Sequence, residues 1–193
     1  MQDKFWREQV VPKLQEADKH LKYINSGAVY FHGTDKNMRP ICWVNLRQLI
    51  DEGLTMEELV DVLDVSMGYV MANAMVPGVI EQMIIMVDTK DVRVWEIPIS
   101  ALRGPIKHGS HKWKMRLAQI TVINLPWYVT SPVNLIKSFM PSYVAVKFRL
   151  LDSNYKDSLD EAIGLARIEE KFGGTKPNEQ EFFPFKFNVD DLV

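Results

Sequence analysis

Apolar and polar positions along this chain follow two periods, and the switches between them mark the elements. Residues 2–24 place Phe5, Val10, Leu14 and Leu21 on a shared side, predicting an N-terminal helix that Pro12 would kink. Two short apolar runs, 28–32 and 41–44, flank a segment rich in Gly, Asp, Asn and Pro, which predicts a hairpin. Thr55 and Glu58 have capping-box spacing, and Leu59, Val60, Leu63, Met67, Val70 and Met71 follow at helical intervals until Pro77-Gly78. The uninterrupted apolar run at 83–87 reads as a strand buried on both faces, and so do 118–123 and 144–151. Ser131-Pro132 opens another helix, with Leu135, Ile136, Phe139 and Met140 on one side. A last helix is expected over 156–171, closed by Gly173-Gly174. Helices alternating with buried strands predict an α/β fold with a mostly parallel central sheet and flanking helices.

Composition changes this picture little. The chain has 193 residues, 47% hydrophobic and 25% charged, which is ordinary for a globular protein. No window approaches the ~18 consecutive apolar residues of a membrane span, and the first 25 residues lack a signal-type apolar stretch. The expected location is therefore cytoplasm or an organelle matrix.

Charge changes more. Residues 97–151 contain no Asp or Glu but eight cations: Arg103, Lys107, Lys112, Lys114, Arg116, Lys137, Lys147 and Arg149. The rest of the chain holds 15 cations against 25 acids. Such asymmetry suits a face that meets anions; the alternative is that these side chains scatter over different faces on folding.

Catalytic chemistry finds no foothold. There is no nucleophile elbow, P-loop, dinucleotide fingerprint or His-Glu-x-x-His helix, so the chain is not expected to be an enzyme. His108 and His111 fall in a segment of Gly, Ser and Lys that reads as a loop, with no third ligand nearby, and no metal site is expected. Cys42 is the single cysteine and reads as a small apolar strand residue. Trp113, Trp127 and Tyr128 lie among cations without any recognised nucleic-acid pattern, so no nucleic-acid partner is expected. Aromatics beside lysines do suit a membrane interface, which nominates Lys112, Lys114 and Trp113 as membrane-facing.

Three segments in series carry a resemblance. Residues 30–41 end in Met38-Arg39-Pro40-Ile41; residues 116–126 run from Arg116 to Ile123-Asn124-Leu125-Pro126; Lys147-Phe148 precedes a segment ending Lys171-Phe172-Gly173-Gly174. Their order and spacing resemble the CRAL-TRIO family of lipid-binding domains, which includes phospholipid, tocopherol and retinaldehyde carriers. The resemblance covers residues 26–175. It leaves 1–25 as an N-terminal helical segment and 176–193 as an aromatic tail packed on the domain or on a partner.

The resemblance implies an apolar pocket between the sheet and a mobile gate helix, here residues 131–140. Leu135, Ile136, Phe139 and Met140 would line it; the alternative for this stripe is an ordinary amphipathic helix. Lys147 and Arg116 would lie near an anionic head group, Lys147 in a strand; its alternative is an edge position facing solvent. The family pattern is departed from in three places. The acid preceding the arginine is Met115, and the glycine of Gly-Arg-Pro is Met38, which calls for a turn without a positive φ. The long wall helix is interrupted by Pro98, Gly104-Pro105 and Gly109. The implied function is binding, and in some members transfer, of one hydrophobic ligand at anionic membranes, with no cofactor beyond the bound lipid. The rival is a structural or adaptor subunit that keeps the fold inside a larger protein assembly.

Overall fold

The computed structural model describes residues 17–97, 99–125 and 130–185. Most of the expected N-terminal helix, with Phe5 and Pro12, falls outside these residues, as do Trp127 and Tyr128; its last part is α1 (Ala17–Asn25). Strands β1 (Val29–Thr34) and β2 (Pro40–Asn45) form the hairpin, followed by α2 (Leu46–Asp51) and α3 (Met56–Asn73). Next come β3 (Met83–Asp88), α4 (Arg103–Lys112), β4 (Leu117–Ile123), α5 (Thr130–Ser138) and α6 (Ser142–Ala145). The described chain closes with β5 (Phe148–Leu150), α7 (Lys156–Ala162) and two 3-10 turns, Leu165–Arg167 and Glu170–Phe172.

The five strands lie in the order β1-β2-β3-β4-β5. Only the hairpin is antiparallel; β2 to β5 run parallel. Parallel crossovers are almost always right-handed. When successive strands are added in one direction, that rule sends every crossover to the same face. Here α3, α4 and residues 140–147 share one side of the sheet, the helix face. The opposite side is left to the chain beyond β5.

That remaining chain consists of α7 and the tail. On this second face Trp43 stacks on Phe172 with ring centroids 3.9 Å apart and planes 2° from parallel, worth about 1 kcal/mol beyond burial. The tail then passes the β1 edge, with Phe182 against Tyr30 and Phe183 and Phe185 against Tyr69 on α3. Gly27, at φ 80°, allows this path, because a Cβ there would stand 2.6 Å from the Phe182 ring.

The Thr55–Glu58 capping box forms as expected, the Glu58 amide donating to Thr55 Oγ1 at 3.2 Å and the Thr55 amide to Glu58 Oε2 at 3.0 Å. Three expectations are corrected. The strand over 144–151 is a one-turn helix after Pro141 and then the three-residue edge strand β5, because Pro141 starts a turn and Val146 is 82% exposed. The helix over 156–171 stops at Ala162, where Gly164 adopts φ 97° and separate short turns follow. Met38 does take a positive φ, 61°. Asp35 imposes it: its Oδ1 accepts the Asn37 and Arg39 amides at 2.9 and 2.8 Å, and its Oδ2 accepts Arg39 Nε and Nη2 at 2.8 and 2.6 Å.

Candidate functional site

On the helix face the parallel register sets Met83 beside Leu117 and Ile85 beside Ile120, so these four side chains share one surface. Leu63 and Met67, one helical turn apart on α3, face them. Pro105, Ile106, Gly109 and Trp113 of α4 and its end, with Met140, Tyr143, Val144 and Lys147, complete the wall of a pocket of about 200 Å³. The pocket exists because cover is thin here. After β3 the chain forms a short 3-10 turn, Val94–Glu96, before the ten-residue α4. The first four residues of β4 are accordingly only half-buried, whereas its last three are buried.

The expected break in the wall helix therefore lies upstream, before Arg103. Gly104-Pro105 and Gly109 sit inside α4, with Pro105 in its first turn, where a missing amide proton is tolerated. His108 and His111 are likewise helical and not in a loop.

One charged group fastens this wall. Asp64, buried on α3, accepts Lys112 Nζ at 2.6 Å on Oδ2 and Trp113 Nε1 at 3.1 Å on Oδ1, and His108 Nε2 lies 2.9 Å from Oδ1. Burial pushes the Asp64 carboxyl up, but the hydrogen bonds of Lys112 and His108 outweigh it and hold the group below its ordinary value. Three contacts from one helix to one buried carboxylate make α4 a positioned wall despite its two glycines.

This geometry corrects the membrane-facing assignment for two residues. Trp113 is buried, its indole held by Asp64, and it lines the pocket. Lys112 is paired with Asp64 and faces inward. Lys114 is exposed and lines the pocket. Aromatic-beside-lysine is the interfacial pattern in sequence, but a buried acid 48 and 49 positions away took both partners.

The other predicted site residues divide. Met140 and Lys147 line the pocket; Leu135, Ile136, Phe139 and Arg116 do not. Leu135 is 49% exposed and Ile136 half-buried. Phe139 lies beneath the Arg103 guanidinium, 4.1 Å from its ring centre, and with Met140 follows α5 instead of belonging to it. Arg116 Nη1 donates to the Glu81 carbonyl at 3.1 Å. Lys147 sits in the turn ahead of β5, not within a strand, and its Nζ donates to the Leu117 carbonyl. Tyr143 OH donates to the Ser110 carbonyl at 2.8 Å, tying the 140–147 segment to α4. The lining thus carries two cations, Lys114 and Lys147, and no acid. Exposed Met115 and Tyr143 also line the pocket, and exposed Val146 adjoins Lys147 in sequence.

Sequence reasoning missed Asp64 and the four strand residues of the floor. The strand residues were legible as apolar runs, but which face would stay uncovered was not. An acid inside the apolar stretch Leu63-Asp64-Val65 was a signal that some cation would be buried with it.

No helix among the described residues is long and apolar enough to cross a membrane. Among curated proteins, the chain is 33% identical over 99 residues to the Sec14 cytosolic factor of Schizosaccharomyces pombe, covering 50% of this chain and 35% of that protein. It is 27% identical over 166 residues to a CRAL-TRIO domain-containing protein of the same organism, covering 85% of this chain and 36% of the relative. The chain thus spans about a third of the length of these relatives. The crystal structure of Sfh5 has the same fold, with a TM-score of 0.66 at 17% identity over 84% of this chain and 59% of that one. Residues 24–174 match the CRAL/TRIO domain, and the chain belongs to that family.

Proposed function

We propose that this protein binds one apolar chain of a lipid in the helix-face pocket, with an acidic head group outside it toward Lys114 and Lys147. The observation that carries this reading is a lining that is apolar except for Ser110 and two lysines. Family membership supports lipid binding at the coarser level. Size narrows the ligand. A dry cavity of about 150 Å³ takes up benzene, so about 200 Å³ accommodates roughly eight to ten carbon atoms. At about 0.8 kcal/mol per methylene, that burial stabilises a complex by about 6–8 kcal/mol. A two-chain lipid would require the 140–147 segment to move off α4, breaking the Tyr143–Ser110 and Arg103–Phe139 contacts.

The same opening would suit transfer at an anionic membrane. Met115 and Val146 are 66% and 82% exposed, with Lys114 and Lys147 as their chain neighbours. An apolar group with an adjacent cation is the combination that sits at a lipid head-group boundary, each cation contributing about 1 kcal/mol near the surface.

Native mass spectrometry of the gently purified protein, with analysis of any released molecule, tests the binding. A stoichiometric single-chain acid or short-chain amphiphile is expected. A protein that stays empty when offered such lipids, and that is recovered only in complex with other proteins, would replace this reading with the adaptor role. Vesicle sedimentation tests the membrane contact: Lys114→Glu should weaken binding to anionic vesicles and Lys112→Glu should act only through lost stability.

A further inference from the structure

The opposite face of the sheet holds a second pocket of different chemistry, of about 350 Å³. Its floor comes from Ile84 and Met86 of β3, Gln119 and Thr121 of β4, and Arg149 of β5. Register places these together: Ile84 pairs with Gln119, Met86 with Thr121, and Thr121 with Arg149. One wall is the hairpin turn, through Asp35 and Arg39, and the other is α7, through Ser158 and Glu161. The crossover rule leaves this face to the segment after β5, and the seven-residue α7 does not cover it fully.

Polar groups at adjacent register positions on a central strand are out of place on a face meant for packing. Gln119 and Thr121 satisfy each other in part: Gln119 Nε2 donates to Thr121 Oγ1 at 2.6 Å. That bond leaves the Thr121 hydroxyl proton and a second Gln119 amide proton available. Asp35 is saturated by two amides and Arg39, so its charge is neutralised within the wall. Arg149 differs. Among the described residues its side chain has neither an ion pair nor a hydrogen bond, and it stands exposed beside Thr121. Glu161 is the remaining carboxylate of the lining and is exposed. Its carboxylate can accept hydrogen bonds from hydroxyls.

We propose that this pocket is a second binding site, for a small, soluble, hydroxylated phosphate monoester. The phosphate would take the fork of Arg149 and the free donors of Thr121 and Gln119, a combination suited to an anion with several acceptor oxygens. The hydroxylated skeleton would meet Ser158 and Glu161. Arg149 lies on the face away from the lipid pocket, so the two sites are separate.

The test is a titration of the protein with glycerol 3-phosphate and with inorganic phosphate, followed by amide and Arg side-chain NMR. Saturable shifts confined to Gln119, Thr121, Arg149 and Ser158 are expected. Arg149→Met should weaken binding about ten- to a hundredfold while lipid loading of the other face stays unchanged. Thr121→Val, which keeps the side-chain shape, should weaken it as well. Absence of shifts in the wild-type protein, or equal binding by Arg149→Met, overturns the proposal. A parallel arm uses vesicles containing phosphatidic acid. Arg149-dependent binding to these vesicles, without binding of glycerol 3-phosphate, would overturn the soluble ligand in favour of a membrane head group.

Discussion

The two faces of the sheet solve opposite problems. The helix face receives three crossover segments and is crowded by construction, yet it holds an apolar pocket because α4 is short and preceded by irregular chain. The second face receives only α7 and the tail, and it is held by a polar cluster around a buried glutamate. Glu169 is 1% exposed; its Oε1 accepts Tyr30 OH at 2.8 Å and lies 2.9 Å from His32 Nδ1, and its Oε2 accepts the Glu179 amide at 3.0 Å and pairs with Lys171 at 3.0 Å. Apolar packing tolerates a vacancy with graded loss, whereas a buried charge tolerates almost none. The face with the pocket is therefore the one whose packing can yield, and the face that keeps the chain closed is pinned by charge. Asp64 is the exception on the helix face, and it pins the one wall that lacks bulk.

The largest effect should come from Glu169. Glu169→Ala strands His32, Tyr30 and Lys171 and should destabilise the protein by about 3–5 kcal/mol in chemical denaturation. Burial would raise this carboxyl, but its hydrogen bonds with His32, Tyr30 and Lys171 prevail and bring it down from 4.5 to about 2. The folded value lies below the unfolded one, so the stabilisation is complete above pH 4.5 and is lost as pH falls from 4.5 toward about 2. That change amounts to on the order of 3 kcal/mol. Glu169→Gln should flatten the stability–pH curve across that window. A curve unchanged by Glu169→Gln would mean that the second face is held by packing after all, and the contrast between the faces would dissolve.

Asp64→Asn should cost about 2 kcal/mol, because the amide cannot satisfy Lys112 while also accepting from Trp113. Its signature beyond stability is faster hydrogen exchange in α4 and faster loss of pocket-bound lipid. Equal exchange rates in the two proteins would show that α4 is positioned by contacts other than the carboxylate.

Gly109→Leu separates stability from occupancy. An added Cβ at this helical glycine meets nothing within 4 Å, and the residue lines the pocket. Replacing glycine inside a helix should gain about 0.5–1 kcal/mol while the new side chain fills the cavity. Thermal stability should hold or rise, and lipid loading should fall at least tenfold. A variant that loads lipid normally would place the ligand elsewhere.

Legibility followed the range of the forces. Local chemistry was readable: the Thr55–Glu58 cap, the turn residues of the hairpin and the apolar runs of β3 and β4 declare themselves within a few positions. Residues 142–147 misled, since Val144, Val146 and Phe148 alternate as in a strand. The outcome was decided by Pro141 and by the bond from Tyr143 to Ser110, 33 positions away. Trp113 and Lys112 misled for the same reason, their partner Asp64 lying on another helix. Resemblance located Lys147 and Met140 at the pocket. It could not tell that Leu135 and Arg116 would stay outside, because the thinning of the wall depends on where α4 starts.

Met38 offers the smallest and sharpest measurement. Its φ of 61° belongs to a region where a side chain costs about 1 kcal/mol and glycine costs little. Asp35 imposes that conformation through four hydrogen bonds, and Arg167 Nη1 approaches the Met38 sulfur at 3.7 Å. Met38→Gly removes the backbone strain and also the sulfur contact, and it loosens the unfolded chain. The net expectation is a gain of about 0.5 kcal/mol in denaturant melts. A loss of 1 kcal/mol or more would show that the methionine side chain contributes packing to the hairpin wall beside Arg39. Because that wall borders the second face's polar pocket, such a loss would move the rim of that pocket from backbone-determined to side-chain-determined. The contrast with the helix face, where apolar side chains line the cavity, would then narrow.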